Sequence, residues 1–197
     1  MLNLLRNRRP RRAAFKIKTG REPDMVIIYA SNTGNTEKYA KILQEDLNIP
    51  AYPISNVPDV HKGGDAIYLG WVMAGNVVGY KKTSKMCNVK CVIAVGMTPE
   101  SPEMTETTRK NIGAGPETAV FYVQGGYDAK KLKGVNKMIM KVVEPTIRTR
   151  FEGMSEEEKN ENPTYKMLNG GYSVVSEEHL ADVLAWAVEK GLKGKKA

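Results

Sequence analysis

Thiols and imidazoles are scarce in this 197-residue chain, which holds two cysteines, Cys87 and Cys91, and two histidines, His61 and His179. Two cysteines cannot build a disulfide framework, and a C-x3-C spacing matches neither a redox pair nor a zinc site. They are expected as reduced residues in or near the core of a cytoplasmic protein. So few imidazoles and thiols leave no expectation of a protein-borne metal site. Long apolar runs are also missing: none approaches the roughly 18 residues needed to span a bilayer. No Ser/His/Asp triad or paired-carboxylate constellation is apparent in the sequence.

What is present suits one soluble domain with a full core, since 41% of the residues are apolar and 26% charged. The net charge of +8 is unevenly placed. Residues 1–24 hold eight Lys and Arg against two acids, and the remaining 173 residues carry 22 bases and 20 acids. The basicity therefore belongs to the first 24 residues, and residues 25–197 form the expected domain. That basic segment lacks the apolar stretch of a secretory signal, and Arg11-Arg12 lacks the apolar run that a twin-arginine signal needs. Three readings of it stay open. It is a disordered extension ahead of a natural start at Met25, or an arm making weak contact with an anionic membrane with Leu2, Leu4 and Leu5 as anchor, or a contact for an acidic partner or nucleic acid. Nucleic acid is not the expected partner of the domain itself.

Short apolar runs alternate with amphipathic stretches along the rest of the chain. Strands are expected over 25–30, 51–54, 66–69, 91–96 and 119–123, and helices over 34–47, 76–86, 102–111, 133–143 and 177–190. Several strands are almost continuously apolar, which argues for burial on both faces and a parallel sheet between two helical layers. Local signals mark the helix ends. Ser101-Pro102 is a cap followed by a first-turn proline, and Gly113 closes that helix. Ser155 and Glu158 match a capping box. Ser176 with Glu177 and Glu178 opens the last helix, whose stripe is Leu180, Val183, Leu184, Ala187 and Val188. Val135, Met138, Ile139 and Val142 are read as a core stripe.

The run from Met25 to Ala30 ends abruptly in Ser31-Asn32-Thr33-Gly34-Asn35-Thr36, and Tyr39, Ile42, Leu43 and Leu47 then recur at helical spacing. Strand, tight turn and helix in that order aim backbone N–H groups and a positive helix end at one spot, which favours an anion. The loop has no lysine, so it is not a nucleoside-triphosphate loop, and it lacks the three spaced glycines of a dinucleotide fingerprint. Hydroxyls and amides alone suit a phosphate monoester held without magnesium. The alternative is a plain strand–helix turn in which Ser31 or Thr33 caps the helix.

Ser31-Asn32-Thr33-Gly34-Asn35-Thr36 resembles the flavodoxin loop, Ser/Thr-x-Thr-Gly-x-Thr, which holds the phosphate of flavin mononucleotide (FMN). Further on, Ala74-Gly75-Asn76, the Gly-Gly-Tyr-Asp turn at 125–128, Met138-Ile139-Met140-Lys141 and Tyr172-Ser173-Val174-Val175 are similar to the flavodoxin branch that includes the menaquinone-dependent protoporphyrinogen oxidases. The resemblance covers roughly residues 25–190. It implies a flavodoxin-like, doubly wound, five-stranded parallel sheet of order 2-1-3-4-5 with helices on both faces. The ligand then lies outside the strands' carboxyl ends, between strands one and three.

The cofactor site so implied comprises Ser31, Asn32, Thr33, Gly34, Asn35 and Thr36 for the phosphate. Trp71, Val72, Met73, Ala74 and Gly75 after strand three, with Gly96, Met97 and Thr98 after strand four, then surround the flavin ring. The loop Gln124-Gly125-Gly126-Tyr127-Asp128 is read as a turn close to the site. Residues 148–169 exceed what the resemblance requires and are read as a flap over substrate or a partner surface. The implied function is FMN-dependent electron transfer to or from a redox partner protein or small redox substrate. The alternatives are a protoporphyrinogen- or quinone-type dehydrogenase and a binding module of the same fold without flavin. Carriers in this family are strongly acidic, whereas this domain is nearly neutral, which favours a dedicated partner or an enzyme.

Overall fold

A computed structural model describes residues 25–128, 131, 132 and 134–192; the expected extension 1–24 and the last residues, 193–197, lie outside it. Its main sheet contains β1 (Val26–Ala30), β2 (Ala51–Pro53), β3 (Asp65–Met73), β5 (Asn88–Gly96) and β6 (Ala119–Gln124), in the spatial order β2-β1-β3-β5-β6. All four pairings along this path are parallel. This is the doubly wound α/β arrangement that the sequence implied, with order 2-1-3-4-5 when the five principal strands are counted in turn.

Strand alternation divides the core into two layers. Ile27, Ile67, Leu69, Ile93 and Val123 face one way, against Tyr39 and Leu43 of α1 (Asn35–Leu47) and Val183 and Ala187 of α7 (Ala181–Glu189). Val26, Ile28, Tyr68, Val92 and Tyr122 face the other way, with Tyr80 of α2 (Tyr80–Met86) and Ile112 of α3 (Pro102–Ile112). Every strand between the edges is therefore covered twice, which accounts for the continuous apolar runs. The short link after β2 holds only a 3-10 turn, Asp59–His61.

The expected caps are present. Ser101 Oγ accepts the Met104 amide at 3.2 Å, and Gly113 at φ 63° returns its own amide to Arg109 and Lys110. Ser155 and Glu158 exchange both bonds of a capping box at the start of α5 (Glu156–Glu161), at 3.2 and 2.8 Å. Asn162 then caps α6 (Pro163–Asn169), a helix not anticipated from sequence.

Three expectations need correction. Residues 76–86 are not one helix. Met73 pairs with Asn76 and Val72 with Val77, so β3 turns back through Ala74-Gly75 into the short antiparallel β4 (Asn76–Val77). Ala74 and Gly75 take φ of 47° and 77°, the left-handed pair that a two-residue hairpin requires. Second, Val188 is 71% exposed, so the buried stripe of the last helix is confined to Leu180, Val183 and Ala187 with Leu184 packed beside them.

Third, the helix expected over 133–143 is α4 (Gly134–Arg148), and its apolar stripe is not core. Met138 is 69%, Ile139 49% and Val142 76% exposed; the side chain of Val135 lies outside those described. The opposite face is the one that packs. Met140 and Ile147 meet Phe151, Leu168, Tyr165, Tyr127 and Tyr172 in a small separate cluster. The segment bearing α4, α5 and α6 is bracketed by a second, two-stranded antiparallel ribbon, β7 (Gly126–Tyr127) with β8 (Tyr172–Ser173). Among the described residues, no helix is long and apolar enough to cross a membrane.

Candidate functional site

The parallel register brings the carboxyl ends of four strands level. Ala30 sits opposite Gly70, Gly70 opposite Ala94, and Ala94 opposite Tyr122. Ser31, Trp71, Val95 and Val123 are each one residue further on. The first loop leaves the sheet here and turns into α1 at the switch point, where connections run to β2 on one side and β3 on the other.

Gly34 makes the turn. At φ 98° and ψ −17° it occupies a conformation that costs an L residue about 1–2 kcal/mol. A Cβ built there would have nothing within 4 Å, so glycine is required by backbone shape and not by crowding within the chain. The Gly34 amide donates to Ser31 Oγ at 3.2 Å, which leaves the Ser31 hydroxyl free to donate outward. No side chain caps α1. Ser31 takes only the Gly34 amide, so the amides from Asn35 onward have no side-chain cap. The first amides of a 13-residue helix, with the positive end of its dipole, therefore remain open beside three hydroxyl residues, Ser31, Thr33 and Thr36. The donor set suits an oxyanion. The one acid of the first turn, Glu37, is drawn back along the helix by Lys41 at 2.8 Å.

The other expected residues divide. Alternation along β3 puts Trp71 on the face of Ile67 and Leu69, which α1 covers, and Trp71 is half-buried there. Val72 points to the other layer and packs against the core. Met73 is exposed, and the Ala74-Gly75 tip is tied to α3, where Asn111 Nδ2 donates to the Gly75 carbonyl at 3.0 Å. Trp71 through Gly75 thus form a strand and hairpin, not an open loop. Gly96 closes β5 under Tyr122; a Cβ there would fall 1.8 Å from the phenol oxygen.

Much of the hydrogen-bonding capacity of the fourth-strand loop is already engaged. The Gly96 carbonyl accepts the Gly125 amide at 2.8 Å. The Met97 carbonyl accepts from Gln124 Nε2 at 3.0 Å and from the Tyr172 hydroxyl at 2.9 Å. The Thr98 amide donates to Tyr122 Oη at 3.2 Å. Asn35 is engaged as well: its Oδ1 accepts the Ser173 hydroxyl at 2.9 Å, while Ser173 Oγ accepts Lys38 Nζ at 3.1 Å. Asn35 therefore braces the loop from beneath.

Gln124, Tyr172, Ser173 and Lys38 were not among the expected site residues, and they pin both loops. Their partners lie 27, 75, 138 and 135 residues away in sequence, so no local signal reveals them. Tyr39, in α1, donates to the Gln124 carbonyl and adds a further tie; burial first, then the charge of Glu100, pushes its phenol up to about 12 against the pull of the Ser176 backbone.

A separate cleft of about 550 Å³ opens along β6, at the outer edge of the sheet. Its rim carries Glu100, Glu106, Glu178, Asp182 and His179, with His179 Nδ1 2.7 Å from Glu100 Oε1. It lies by the edge strand, not at the switch point, and its acidic rim does not suit a phosphate.

The chain matches no known family model and no curated protein. The class it belongs to is accordingly the one its architecture defines, a doubly wound α/β protein with an uncapped helix start at the switch point of its sheet.

Proposed function

We propose that the protein binds FMN through the first loop and passes electrons to or from a partner enzyme or a small substrate. The observation that carries this is the uncapped amino end of α1, turned by a left-handed Gly34 with open space above it and edged by hydroxyls. FMN, when bound, supplies the one- and two-electron chemistry. In this reading the open amides of α1 with Ser31, Thr33 and Thr36 hold the phosphate, and Trp71 offers the flavin an apolar surface from the α1 side of the sheet. A cytoplasmic setting belongs to the same proposal, supported by a sequence with only two cysteines, both of them buried.

A second reading, a dehydrogenase acting on a protoporphyrinogen- or quinone-type substrate, is favoured by the inserted segment between β7 and β8. It is fastened to both loops through Tyr172 and Ser173, which suits a wall for a small substrate.

The test is the visible absorption spectrum of the purified protein, with mass analysis of any released cofactor. A flavin spectrum that is lost in Thr33→Ala/Thr36→Ala is the expected result, since each lost donor to a charged phosphate costs roughly 1.5–3 kcal/mol. A colourless protein that also ignores added FMN overturns both redox readings and leaves the flavin-free binding module. Turnover of a small substrate without a protein partner separates the dehydrogenase from the carrier.

A further inference from the structure

The exposed face of α4 is unusual for a helix of a folded domain, because its apolar side is the one turned to solvent. Met138 and Val142 are one turn apart and 69% and 76% exposed; Ile139 and Val143 form the adjoining row at 49% and 41%. These four residues make a continuous stripe on a helix of 15 residues. Along the Met138–Val142 edge runs a row of cations, Lys137 and Lys141, which have no acidic partner among the described residues. Glu144, the helix's acid, is held by Arg148 at 2.7 Å.

Charge is segregated around this helix. Residues 128–152 hold seven Lys and Arg against Asp128, Glu144 and Glu152, while the chain outside this stretch and outside residues 1–24 holds 15 bases and 17 acids. An apolar stripe bordered by lysines, on a net basic segment of an otherwise nearly balanced domain, matches an anionic lipid surface in both respects. The stripe enters the headgroup–acyl boundary, and the lysine stems lie along it with their ammonium groups among the phosphates.

We infer that α4 docks the protein, lying flat, on an anionic lipid surface. Two features set lipid above the other occupants. A second copy packed face to face would bring two strongly basic segments together, which like-charge repulsion opposes. A protein partner is ordinarily met by aromatic and Arg anchors, of which this stripe has none, and its border is lysine, a residue depleted from such interfaces. The inference stands on the exposed helix alone and is independent of flavin binding.

The experiment is co-sedimentation of the full 197-residue chain with vesicles of phosphatidylcholine, with and without phosphatidylglycerol, across a salt series. Partitioning to the phosphatidylglycerol vesicles that weakens with salt is expected. Lys137→Gln/Lys141→Gln is expected to weaken it at least tenfold, each lysine near such a surface contributing about fivefold. Met138→Gln/Val142→Thr is expected to weaken it comparably; both sites are exposed, so an unchanged melting curve checks the fold. A second measurement places an environment-sensitive dye at Met138→Cys, selective because Cys87 and Cys91 are buried. Its emission is expected to shift to the blue on phosphatidylglycerol vesicles. The inference is overturned if the chain ignores these vesicles, or if the dye does not respond to them. It is overturned equally if the helix variants bind like the parent, which would assign binding to residues 1–24. A blue shift that grows with protein concentration without lipid would overturn it in favour of a second copy.

Discussion

Replacing Gly34 by Ala separates the backbone's need for glycine from a ligand's. Gly34 sits at φ 98° with no atom within 4 Å of the position a Cβ would take. Without ligand, the substitution therefore meets strain but no clash. The left-handed conformation costs an L residue about 1–2 kcal/mol, less some gain because alanine restricts the unfolded chain, which nets about 1 kcal/mol. For a domain of this size that lowers Tm by about 2–4 °C.

Gly113 is the matched control: it too is left-handed, at φ 63°, with open space, but it closes α3 away from the first loop. Gly113→Ala is expected to lose a similar amount of stability. FMN titration then divides them. A phosphate lying over the turn would meet the new methyl in Gly34→Ala, raising the Kd about tenfold or more, where tenfold is 1.4 kcal/mol. Gly113→Ala would leave the Kd unchanged. If Gly34→Ala loses stability yet binds FMN like the parent, or if both variants bind it equally weakly, the assignment of this loop to the phosphate fails.

Two further outcomes follow from buried phenols. The Tyr127 hydroxyl is buried with no hydrogen-bond partner among the described residues, and an unsatisfied polar group of this kind costs about 1–3 kcal/mol, so Tyr127→Phe should raise the urea midpoint at constant m value; a lower midpoint would show that the hydroxyl is satisfied. Burial, joined by the charges of Glu144 and Asp128, pushes the Tyr127 phenol up to about 12, and burial also pushes up Tyr39 and, further, Tyr68. The folded state then holds these protons more tightly than the unfolded chain, whose phenols titrate near 10.0, so stability should be level through neutral pH and fall from about pH 10 upward. Denaturation across alkaline pH with tyrosinate absorbance checks this; early titration of every tyrosine with no loss of stability would contradict it.

The order of elements and the position of the first loop were legible because their causes are local. A parallel strand covered on both faces must be apolar throughout, and 26–30 and 91–96 are. Caps act within three or four residues, so Ser101, Gly113 and the Ser155–Glu158 pair could be read directly. The hairpin at Ala74-Gly75 was missed because its helix-like stretch carried no Asn-Gly or Asp-Gly signature, and alanine took a left-handed conformation that only the pairing of Val72 with Val77 enforces.

Amphipathic periodicity specified that α4 has an apolar stripe, but the side of the helix on which the rest of the chain lies depends on packing partners far away in sequence. Met140 and Ile147 won the contact with Phe151 and Leu168, which left Met138 and Val142 in solvent. The same holds at the candidate site. The strand–turn–helix with its glycine and hydroxyls is written in consecutive residues. That the helix start stays uncapped, that Asn35 and the Met97 carbonyl are already engaged, and that Tyr172 and Ser173 do the engaging emerges only from the folded chain. Periodicity, capping and turn chemistry are short-range and can be read along the chain, whereas hydrogen bonds that close across 75 or 138 residues exist only once the fold has brought their partners together.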